Sequence, residues 1–386
     1  MKKNVLFIIE SLKSWWWAEK ACVTVGTKLY EKWYNVHYLT FYDYPRNELY
    51  DFKWKYFSLN KKQIDSGYSI FKKVKEVFFD RWKDISKCCK ENNIDVCISF
   101  MEGANFSNIF SKFLWNKSKI VVSIHNSIKK NIYYKFAIKL LYNFPDKVIT
   151  VAKEEKESLM KNYWVSGEKI RVIYNAIDIG KINFFKKEYL DEEEKRYFKN
   201  GKFTFLNVWR LVYQKNQELL INVFKKFNEK YKNSQLIILW EWELRKELEN
   251  QIWDNKNIHL LWLKKNPYKY MYNSDCFVFS SRYEWFGIVL IEAMACWLPI
   301  ISTDCSTWPK EILRKDVKSF EPVKSMEEVD YGILVPVNNE EELFKAMERM
   351  YLDEKLRRGY SEKGIERARD FDLDKIVGEW EKILSK

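Results

Sequence analysis

The stretch Cys276-Phe-Val-Phe-Ser-Ser-Arg-Tyr-Glu284-Trp-Phe-Gly287-Ile-Val-Leu-Ile-Glu292-Ala-Met-Ala295 decides the fold of this chain. A short apolar run is followed by a polar loop and then by a longer apolar run. The first run has the length of a buried strand, and the second has the length of a helix. Strand, loop and helix in this order form the unit from which parallel α/β sheets are built.

The same alternation continues on both sides of this stretch. In the second half of the chain, strands are predicted at 203–208, 235–239, 258–261, 276–279, 299–302 and 332–335, with helices between them and a helical end at 340–369 and 373–384. In the first half, strands are predicted at 5–9, 35–40, 95–100, 120–124, 147–151 and 170–174, with helices such as 18–32, 69–91 and 154–162. A polar, lysine-rich connector at 178–202 joins the halves. The pattern predicts two doubly wound parallel sheets, and a ligand is expected between the halves at the carboxyl ends of the strands.

Length and composition limit the alternatives. The chain has 386 residues, a formal net charge of +13 and seven scattered cysteines without a CxxC pair. It has no uninterrupted apolar run of about 18 residues, which a membrane-spanning helix needs, and its first residues make a poor signal peptide. The length predicts two domains or one large one, and the cysteine pattern predicts a protein of the reducing cytoplasm. The positive charge favours anionic ligands or an anionic membrane face, although it also fits an ordinary lysine-rich surface.

Four charged residues follow predicted strands of the second half. Arg210 and Lys215 lie in a loop between a strand and a helix, where two cations suit a diphosphate. Glu284 lies in the loop of the opening stretch, and Glu292 lies eight residues later in an apolar helix. A carboxylate in such surroundings is costly to bury without a partner, and a ligand hydroxyl would be one. Each pattern alone also fits a solvated surface or the edge of an amphipathic helix.

In combination, these patterns resemble the retaining GT-B glycosyltransferases of family GT4. Glu284 and Glu292, with Phe286-Gly287 between them, are similar to the signature of that family. Further similar segments follow the order of the family along nearly the whole chain: Ile124-His125-Asn126, Val172–Asp178, Arg210-Leu211 with Lys215-Asn216, Leu298–Ser302 and Pro309–Glu311.

The resemblance implies a GT-B fold, which is α/β with two Rossmann-like doubly wound domains facing a central cleft. Residues 1–174 would bind the acceptor, and residues 175–368 would bind the nucleotide sugar. A C-terminal helix at 369–386 would pack back on the first domain.

The resemblance also implies roles for the charged residues. Glu284 would contact the donor sugar, and Glu292 would bind the ribose hydroxyls. Arg210 and Lys215 would offset the negative charge of the leaving diphosphate in place of a metal. No metal and no cofactor are therefore expected besides the nucleotide-sugar substrate.

Other residues would complete the site by the same resemblance. Phe286, Gly287 and Ile288 would line the donor site, where a helix N-terminus offers backbone N–H groups. His125 would lie near the sugar or the acceptor, although a lone histidine is often structural.

The chain departs from the family at its glycines, because it has 17 tryptophans and only 11 glycines. Tryptophan stands where the family has glycine in the loop after the first strand, at Trp15, Trp16 and Trp17. The pattern repeats at Trp33, Trp164, Trp209, Trp240, Trp242, Trp262, Trp285, Trp297 and Trp308. Such loops need positive φ angles or close approach to a ligand, which a bulky side chain prevents.

Three explanations fit these tryptophans. They are native and form a hydrophobic acceptor site, or the chain is a deliberately inactivated variant, or UGA codons that the source reads as glycine were translated as tryptophan. The third explains the mixture of correct glycines and misplaced tryptophans, so we expect glycine at most of these positions in the natural protein. Trp82, Trp115 and Trp380 lie in helical contexts and are interpreted as genuine, whereas Trp54 and Trp253 are not assigned.

Two segments of the first half, 71–82 and 129–144, mix cations with aromatic and aliphatic residues. Basic amphipathic helices of this kind lie on anionic membranes, although they also pack on sheets with their lysines in water. The resemblance favours a lipid-linked acceptor and a cytoplasmic protein that is peripheral on the inner face of the plasma membrane.

The resemblance therefore implies a retaining hexosyltransferase that moves a sugar from a nucleotide sugar, in the first instance a UDP-sugar, to a glycan acceptor on a lipid-linked surface polysaccharide. A nucleotide-sugar epimerase or a sucrose- or glycogen-type synthase is an alternative. A metal-dependent enzyme using Asp370-Phe-Asp372 is disfavoured because these residues resemble a helix cap. No recognisable module supports nucleic-acid binding. Native tryptophans would instead indicate an inactive relative.

Overall fold

The computed structural model describes residues 3–13, 17–51, 55–60, 80–125, 132–198, 201–239, 244–252, 255–262, 264–284, 287–305 and 308–385, with the backbone alone for 17 and 132–134. The chain forms two compact units, Met1–Ala176 with Leu373–Lys386, and Ile177–Asp372. The boundaries predicted from the sequence lie after residues 174 and 368.

A seven-stranded parallel sheet forms the centre of the first unit, in the order β3-β2-β1-β4-β5-β6-β7. Its strands are β1 (Asn4–Ile9), β2 (Asn35–Thr40), β3 (Lys55–Ser58), β4 (Val96–Phe100), β5 (Lys119–Ile124), β6 (Lys147–Thr150) and β7 (Ile170–Val172). The central strands are apolar on both faces because helices cover both sides of the sheet. The sequence pattern missed β3, whose four half-buried or exposed residues lie at the sheet edge.

Six helices belong to the described part of this unit. They are α1 (Trp17–Glu31), α2 (Arg81–Glu91), α3 (Glu102–Ser111), α4 (Ile132–Leu141), α5 (Lys153–Tyr163) and the C-terminal α15 (Leu373–Ser385). Trp380 of α15 is 3% exposed and stacks on Phe100 of β4, with 6.1 Å between the ring centroids. The C-terminal helix is therefore part of the core of the first unit.

The second unit has its own seven-stranded sheet, in the order β10-β9-β8-β11-β12-β14-β13. Its strands are β8 (Phe203–Val208), β9 (Ser234–Leu239), β10 (Ile258–Leu261), β11 (Cys276–Phe279), β12 (Ile300–Thr303), β13 (Glu327–Val329) and β14 (Gly332–Val335). All pairs are parallel except β13 with β14, which is antiparallel. The sequence did not predict β13, because its two glutamates and edge position leave no apolar run.

The helices of the second unit are α6 (Ile179–Phe185), α7 (Glu192–Phe198), α8 (Gln217–Lys230), α9 (Arg245–Ile252), α10 (Tyr268–Tyr272), α11 (Ile288–Ala295), α12 (Pro309–Leu313), α13 (Glu340–Leu352) and α14 (Glu354–Ala368). The first two lie where the sequence predicted only a polar connector. Asp178 caps α6 by accepting a hydrogen bond from the Lys181 N–H at 2.8 Å. Glu194 of α7 is buried because Lys269 pairs with it at 2.6 Å. Local capping and ion pairs thus order a segment whose composition indicates a loop.

Among the tryptophans that the structure describes, four have left-handed backbone conformations: Trp33 (φ 74°), Trp115 (61°), Trp164 (56°) and Trp297 (66°). Their side chains are 72%, 91%, 69% and 50% exposed. Glycine is the usual residue at such positions, especially where a helix ends. The interpretation of Trp115 as a residue of helical context is therefore corrected, because it ends the turn at Lys112–Leu114 in this conformation.

Other tryptophans differ from these four. Trp209 and Trp308 are 7% and 1% exposed and have no positive φ, so their backbone does not require glycine. Trp15, Trp16, Trp54, Trp240, Trp242, Trp253 and Trp285 lie outside the described residues.

Among the helices that the structure describes, none is both long and apolar enough to cross a bilayer.

Candidate functional site

Two neighbouring strands of the second sheet end beside charged residues. Trp209 and Arg210 follow β8, and the loop to Glu284 follows β11. Since β8 and β11 are adjacent and parallel, both loops lie at the carboxyl edge of the sheet. This arrangement brings Lys215, at the end of the turn Tyr213–Lys215, against Glu284.

The structure joins Lys215 and Glu284 in a buried ion pair. The distance from Lys215 Nζ to Glu284 Oε1 is 2.6 Å, and both side chains are 2% exposed. Ser281 Oγ donates to the same carboxylate oxygen at 2.6 Å, and Gln214 Nε2 donates to the other at 3.4 Å. The carboxylate is thus fixed by three donors, so its orientation is set before any ligand binds.

Burial governs the charge of Lys215. It lowers the pKa of the Lys215 ammonium to about 8, while Glu284 opposes the shift and Arg210 adds to it. The ammonium also lies 4.2 Å from the centroid of the Trp209 ring. A dry, fixed cation of this kind can stabilise negative charge that develops on a leaving group.

Glu292 lies on α11, every residue of which is buried. Its own exposure is 8%, and Tyr268 Oη donates to its Oε1 at 3.0 Å. Burial and the Glu292 charge raise the pKa of the Tyr268 phenol, which therefore stays protonated. The sequence reasoning missed Tyr268, because a tyrosine in a short helix gives no signal until its carboxylate partner is known.

The remaining predicted donor residues lie around the start of α11 and after β8. Gly287 precedes α11 with φ −79°, which does not require glycine, and Ile288 begins the helix. Arg210 is half-buried, and its carbonyl oxygen accepts a hydrogen bond from Gln217 Nε2 at 3.0 Å. Phe286 lies outside the described residues.

His125 directly follows β5 in the first unit. It is 9% exposed, stacks on Phe100 with 5.0 Å between the centroids, and has its Nε2 2.9 Å from Ser123 Oγ. Burial lowers the pKa of His125 to about 4, so the ring is neutral at physiological pH. It can exchange neutral hydrogen bonds with a ligand but supplies no charge.

Glu19 is a candidate that the sequence reasoning did not select. It lies in the first turn of α1, is 8% exposed, and accepts a hydrogen bond from Ser11 Oγ at 3.3 Å. Burial raises the pKa of Glu19 to about 7, and Glu10 adds to the rise. The signal was available, since Glu19 is the one acidic residue between Ala18 and Leu29. Of the preceding loop, Trp15 and Trp16 lie outside the described residues, and Trp17 begins α1.

Asp370 and Asp372 have structural partners. Arg367 Nη1 donates to Asp370 Oδ2 at 2.8 Å, and the Ile179 N–H donates to Asp372 Oδ1 at 3.3 Å. Within the described ranges, no group of three or more metal-binding side chains comes together.

Comparisons with known proteins give consistent results for both units. The family model for glycosyl transferases group 1 matches residues 190–367, and the model for glycosyltransferase family 4 matches residues 24–181. An uncharacterized glycosyltransferase of Methanocaldococcus jannaschii is 32% identical over 391 residues, covering 92% of this chain and 94% of the relative.

A second relative has a defined activity in its name. The N-acetylgalactosamine-N,N'-diacetylbacillosaminyl-diphospho-undecaprenol 4-alpha-N-acetylgalactosaminyltransferase of Campylobacter jejuni is 31% identical, covering 77% of this chain and 78% of the relative. The amylovoran biosynthesis glycosyltransferase AmsD of Erwinia amylovora is 26% identical, covering 72% and 73%.

Solved structures share the arrangement of the chain. A glycosyltransferase from Rickettsia africae superposes with a TM-score of 0.78 at 15% identity, covering 99% of this chain and 97% of that one. Anabaena HepE in complex with UDP superposes with a TM-score of 0.77 at 17% identity, covering 100% of both chains. At these identities the likeness concerns the fold alone.

Proposed function

The chain belongs to the glycosyl transferases group 1 family, and we propose that it transfers a sugar from a UDP-sugar, with retention of configuration, to a lipid-linked glycan. Its GT-B fold, two Rossmann-like α/β units, is confirmed, and it is a glycosyltransferase that uses a nucleotide sugar. The nucleotide, the stereochemistry and the acceptor are the proposed part.

The buried pair of Lys215 and Glu284 is the observation that carries the proposal. A cation and a carboxylate at one sheet edge match the two ends of a sugar diphosphate. In the proposed reaction the bond between the anomeric carbon and the diphosphate breaks, and its electron pair stays on the diphosphate. The acceptor hydroxyl oxygen forms the new bond to the anomeric carbon on the same face, and its proton passes to the released diphosphate. Lys215 and Arg210 stabilise that charge without a metal, while Glu284 contacts the sugar and Glu292 the ribose. His125 contributes a neutral hydrogen bond near the sugar or the acceptor.

The named relatives support the finer choices. The Campylobacter enzyme forms an alpha linkage on a diphospho-undecaprenol substrate according to its name, and the Erwinia enzyme serves amylovoran biosynthesis. The HepE structure contains UDP. These names favour a UDP-sugar and a lipid-linked acceptor for this chain.

Activity in this proposal depends on glycine in the donor-site loops. The four tryptophans with positive φ support the interpretation of UGA codons read as glycine. We therefore define the glycine-restored protein as the chain with glycine at positions 15, 16, 17, 33, 115, 164, 209, 240, 242, 262, 285, 297 and 308. The coding DNA should contain UGA at 33, 115, 164 and 297 and UGG at 82 and 380. UGG at the first four would leave an inactive relative as the better interpretation.

The test is a transfer assay with the glycine-restored protein. It uses UDP-glucose, UDP-galactose and their N-acetylamino forms with an undecaprenyl-diphosphate-linked disaccharide, and NMR of the product reports the anomeric configuration. We expect one donor to give an alpha-linked product that Glu284→Gln abolishes. Release of an epimerised donor without acceptor would favour an epimerase, and a beta-linked product would refute retention.

Exposed apolar residues on α4 and just after it support contact with a membrane. Phe136, Leu140 and Phe144 follow one another at four-residue spacing and are 68%, 58% and 46% exposed. Phe113, 53% exposed, packs on Phe144 with 5.5 Å between the centroids. Neighbouring exposed apolar side chains of this kind are typical of interaction surfaces. We call these four residues the α4 stripe.

Lysines beside the α4 stripe favour an anionic lipid surface. Lys135 and Lys139 each precede a residue of the stripe by one position, and Lys112 precedes Phe113. Of the other predicted segment, residues 71–79 lie outside the described residues, and Arg81 is 1% exposed and lies over the Phe41 ring rather than on the surface. Helix α4 begins seven residues after His125, so the α4 stripe follows the proposed acceptor residue closely in the sequence.

Vesicle co-sedimentation tests this contact. Phosphatidylglycerol vesicles should bind the protein at low salt, and phosphatidylcholine vesicles should bind it weakly. The double variant Phe136→Glu/Leu140→Glu should lose binding, whereas Phe184→Glu, at a 72% exposed phenylalanine of the second unit, should not. Equal binding by the double variant would exclude the α4 stripe as the contact.

A further inference from the structure

Tyr268 is held in place by its own loop. The Tyr268 N–H donates to Asn266 Oδ1 at 3.0 Å. The Asn266 amide in turn donates to the Phe185 carbonyl and to Glu188 Oε2, both at 2.8 Å. The loop before α10 is thus tied to the end of α6, so the tyrosine is a fixed reference point rather than a loose surface residue.

The fixed phenol meets a buried carboxylate. Glu292 is 8% exposed on a fully buried helix, and the Tyr268 Oη donates to its Oε1 at 3.0 Å. A charge-assisted hydrogen bond of this kind restricts the rotation of the carboxylate. It also stabilises the ionised form, which is the form that accepts hydrogen bonds from hydroxyl groups.

We propose that Tyr268 is a positioning residue that orients the Glu292 carboxylate for the two ribose hydroxyls of the donor. The proposal rests on the proposed role of Glu292 and adds a residue that the family signature does not contain. Its consequence is selective: loss of the phenol should weaken binding of nucleotides that carry ribose hydroxyls and leave other nucleotides unaffected.

Calorimetric titration with UDP and 2′,3′-dideoxy-UDP tests the proposal in the glycine-restored protein without turnover. The glycine-restored protein should bind UDP about 10- to 100-fold more tightly than the dideoxy analogue, because the analogue offers no ribose hydroxyl to the buried carboxylate. Tyr268→Phe should weaken UDP binding about tenfold and change binding of the analogue less than twofold.

Tyr272→Phe is the matched control on the same helix. Tyr272 is 49% exposed and contacts the Lys186 ammonium, at 5.7 Å from the ring centroid, so its phenol should not affect either titration. Equal losses for UDP and the analogue in Tyr268→Phe would show a merely structural role and overturn the proposal.

A different result would identify failure of the donor-site assignment itself. If the glycine-restored protein binds UDP but does not distinguish it from the analogue, Glu292 does not bind the ribose hydroxyls. The proposed role of Tyr268 is then refuted as well. If the protein binds neither nucleotide while its fold is intact by circular dichroism, the proposed function fails first and the inference with it.

Discussion

The carboxyl edges of the two sheets differ in their electrostatics. In the second unit, Lys215 and Glu284 face each other at 2.6 Å and are almost completely buried. In the first unit, His125 is equally sequestered, but it is neutral and packs on Phe100 beside Ser123. Under the proposed function, the second unit would hold a ligand of fixed charge, whereas the first would select by shape and neutral hydrogen bonds.

We call the carboxyl edge of the second sheet, with Lys215 and Glu284, the charged edge. Removal of its Lys215 cation should have the largest effect on activity and stability. Lys215→Met should lower kcat/KM about 100- to 1,000-fold, because a fixed cation no longer faces the leaving diphosphate. It should also cost about 3–5 kcal/mol of unfolding free energy, since Glu284 is left buried and unpaired. Steady-state kinetics and urea unfolding measure the two effects.

The double variant Lys215→Met/Glu284→Leu separates these effects. Its stability should return close to that of the unmodified protein, while its activity stays lost. Recovery of activity would show that the pair is structural and that the charges of Lys215 and Glu284 do not serve catalysis.

We call the carboxyl edge of the first sheet, with His125, the neutral edge. Protonation of His125 in acid should lower the stability of the protein. Because its folded pKa of about 4 lies below the ordinary value near 6.5, the unfolded state binds more protons between these pH values. Stability from this group is therefore present above pH 6.5 and lost as the pH falls towards 4, by about 3 kcal/mol. Urea unfolding of the unmodified protein and His125→Gln at pH 4.5 to 7.5 measures it. A pH slope identical in both proteins would contradict a buried, neutral ring.

At the charged edge, deprotonation of Lys215 in base should lower activity. The pKa of Lys215 near 8 implies that kcat/KM falls as the pH rises through 8, by about tenfold per unit at higher pH. Lys215→Arg should move this decline upward, because a guanidinium stays protonated. An unchanged decline in the arginine variant would assign it to another group.

Replacement of a tryptophan with a left-handed backbone conformation by glycine should stabilise both units. Trp164→Gly in the first unit and Trp297→Gly in the second should each raise the unfolding free energy by about 1 kcal/mol, since glycine adopts their left-handed conformation without strain. Trp380→Gly is the control, and it should cost about 3–5 kcal/mol because its indole is buried on Phe100. Thermal unfolding distinguishes the two classes. Destabilisation by the first two changes would indicate native tryptophans.

The sequence predicted the charged edge better than the neutral one. Glu284 and Lys215 follow strong strand patterns, so their meeting at one edge could be foreseen from the parallel sheet alone. Tyr268 and Glu19 could not be assigned in this way, because their roles depend on which carboxylate or apolar surface lies nearby. The helices α6 and α7 were missed because Asp178 and Glu194 stabilise them through caps and ion pairs that a polar composition conceals.

Calorimetric titration of the glycine-restored protein with UDP and UMP, repeated with Lys215→Met, tests the central claim most directly. We predict that UDP binds at least tenfold more tightly than UMP, and that this advantage disappears in Lys215→Met while UMP binding stays within twofold. Equal affinity for UDP and UMP in the unmodified protein, or an advantage of UDP that survives the loss of Lys215, would contradict a diphosphate site at the edge formed by Lys215 and Glu284.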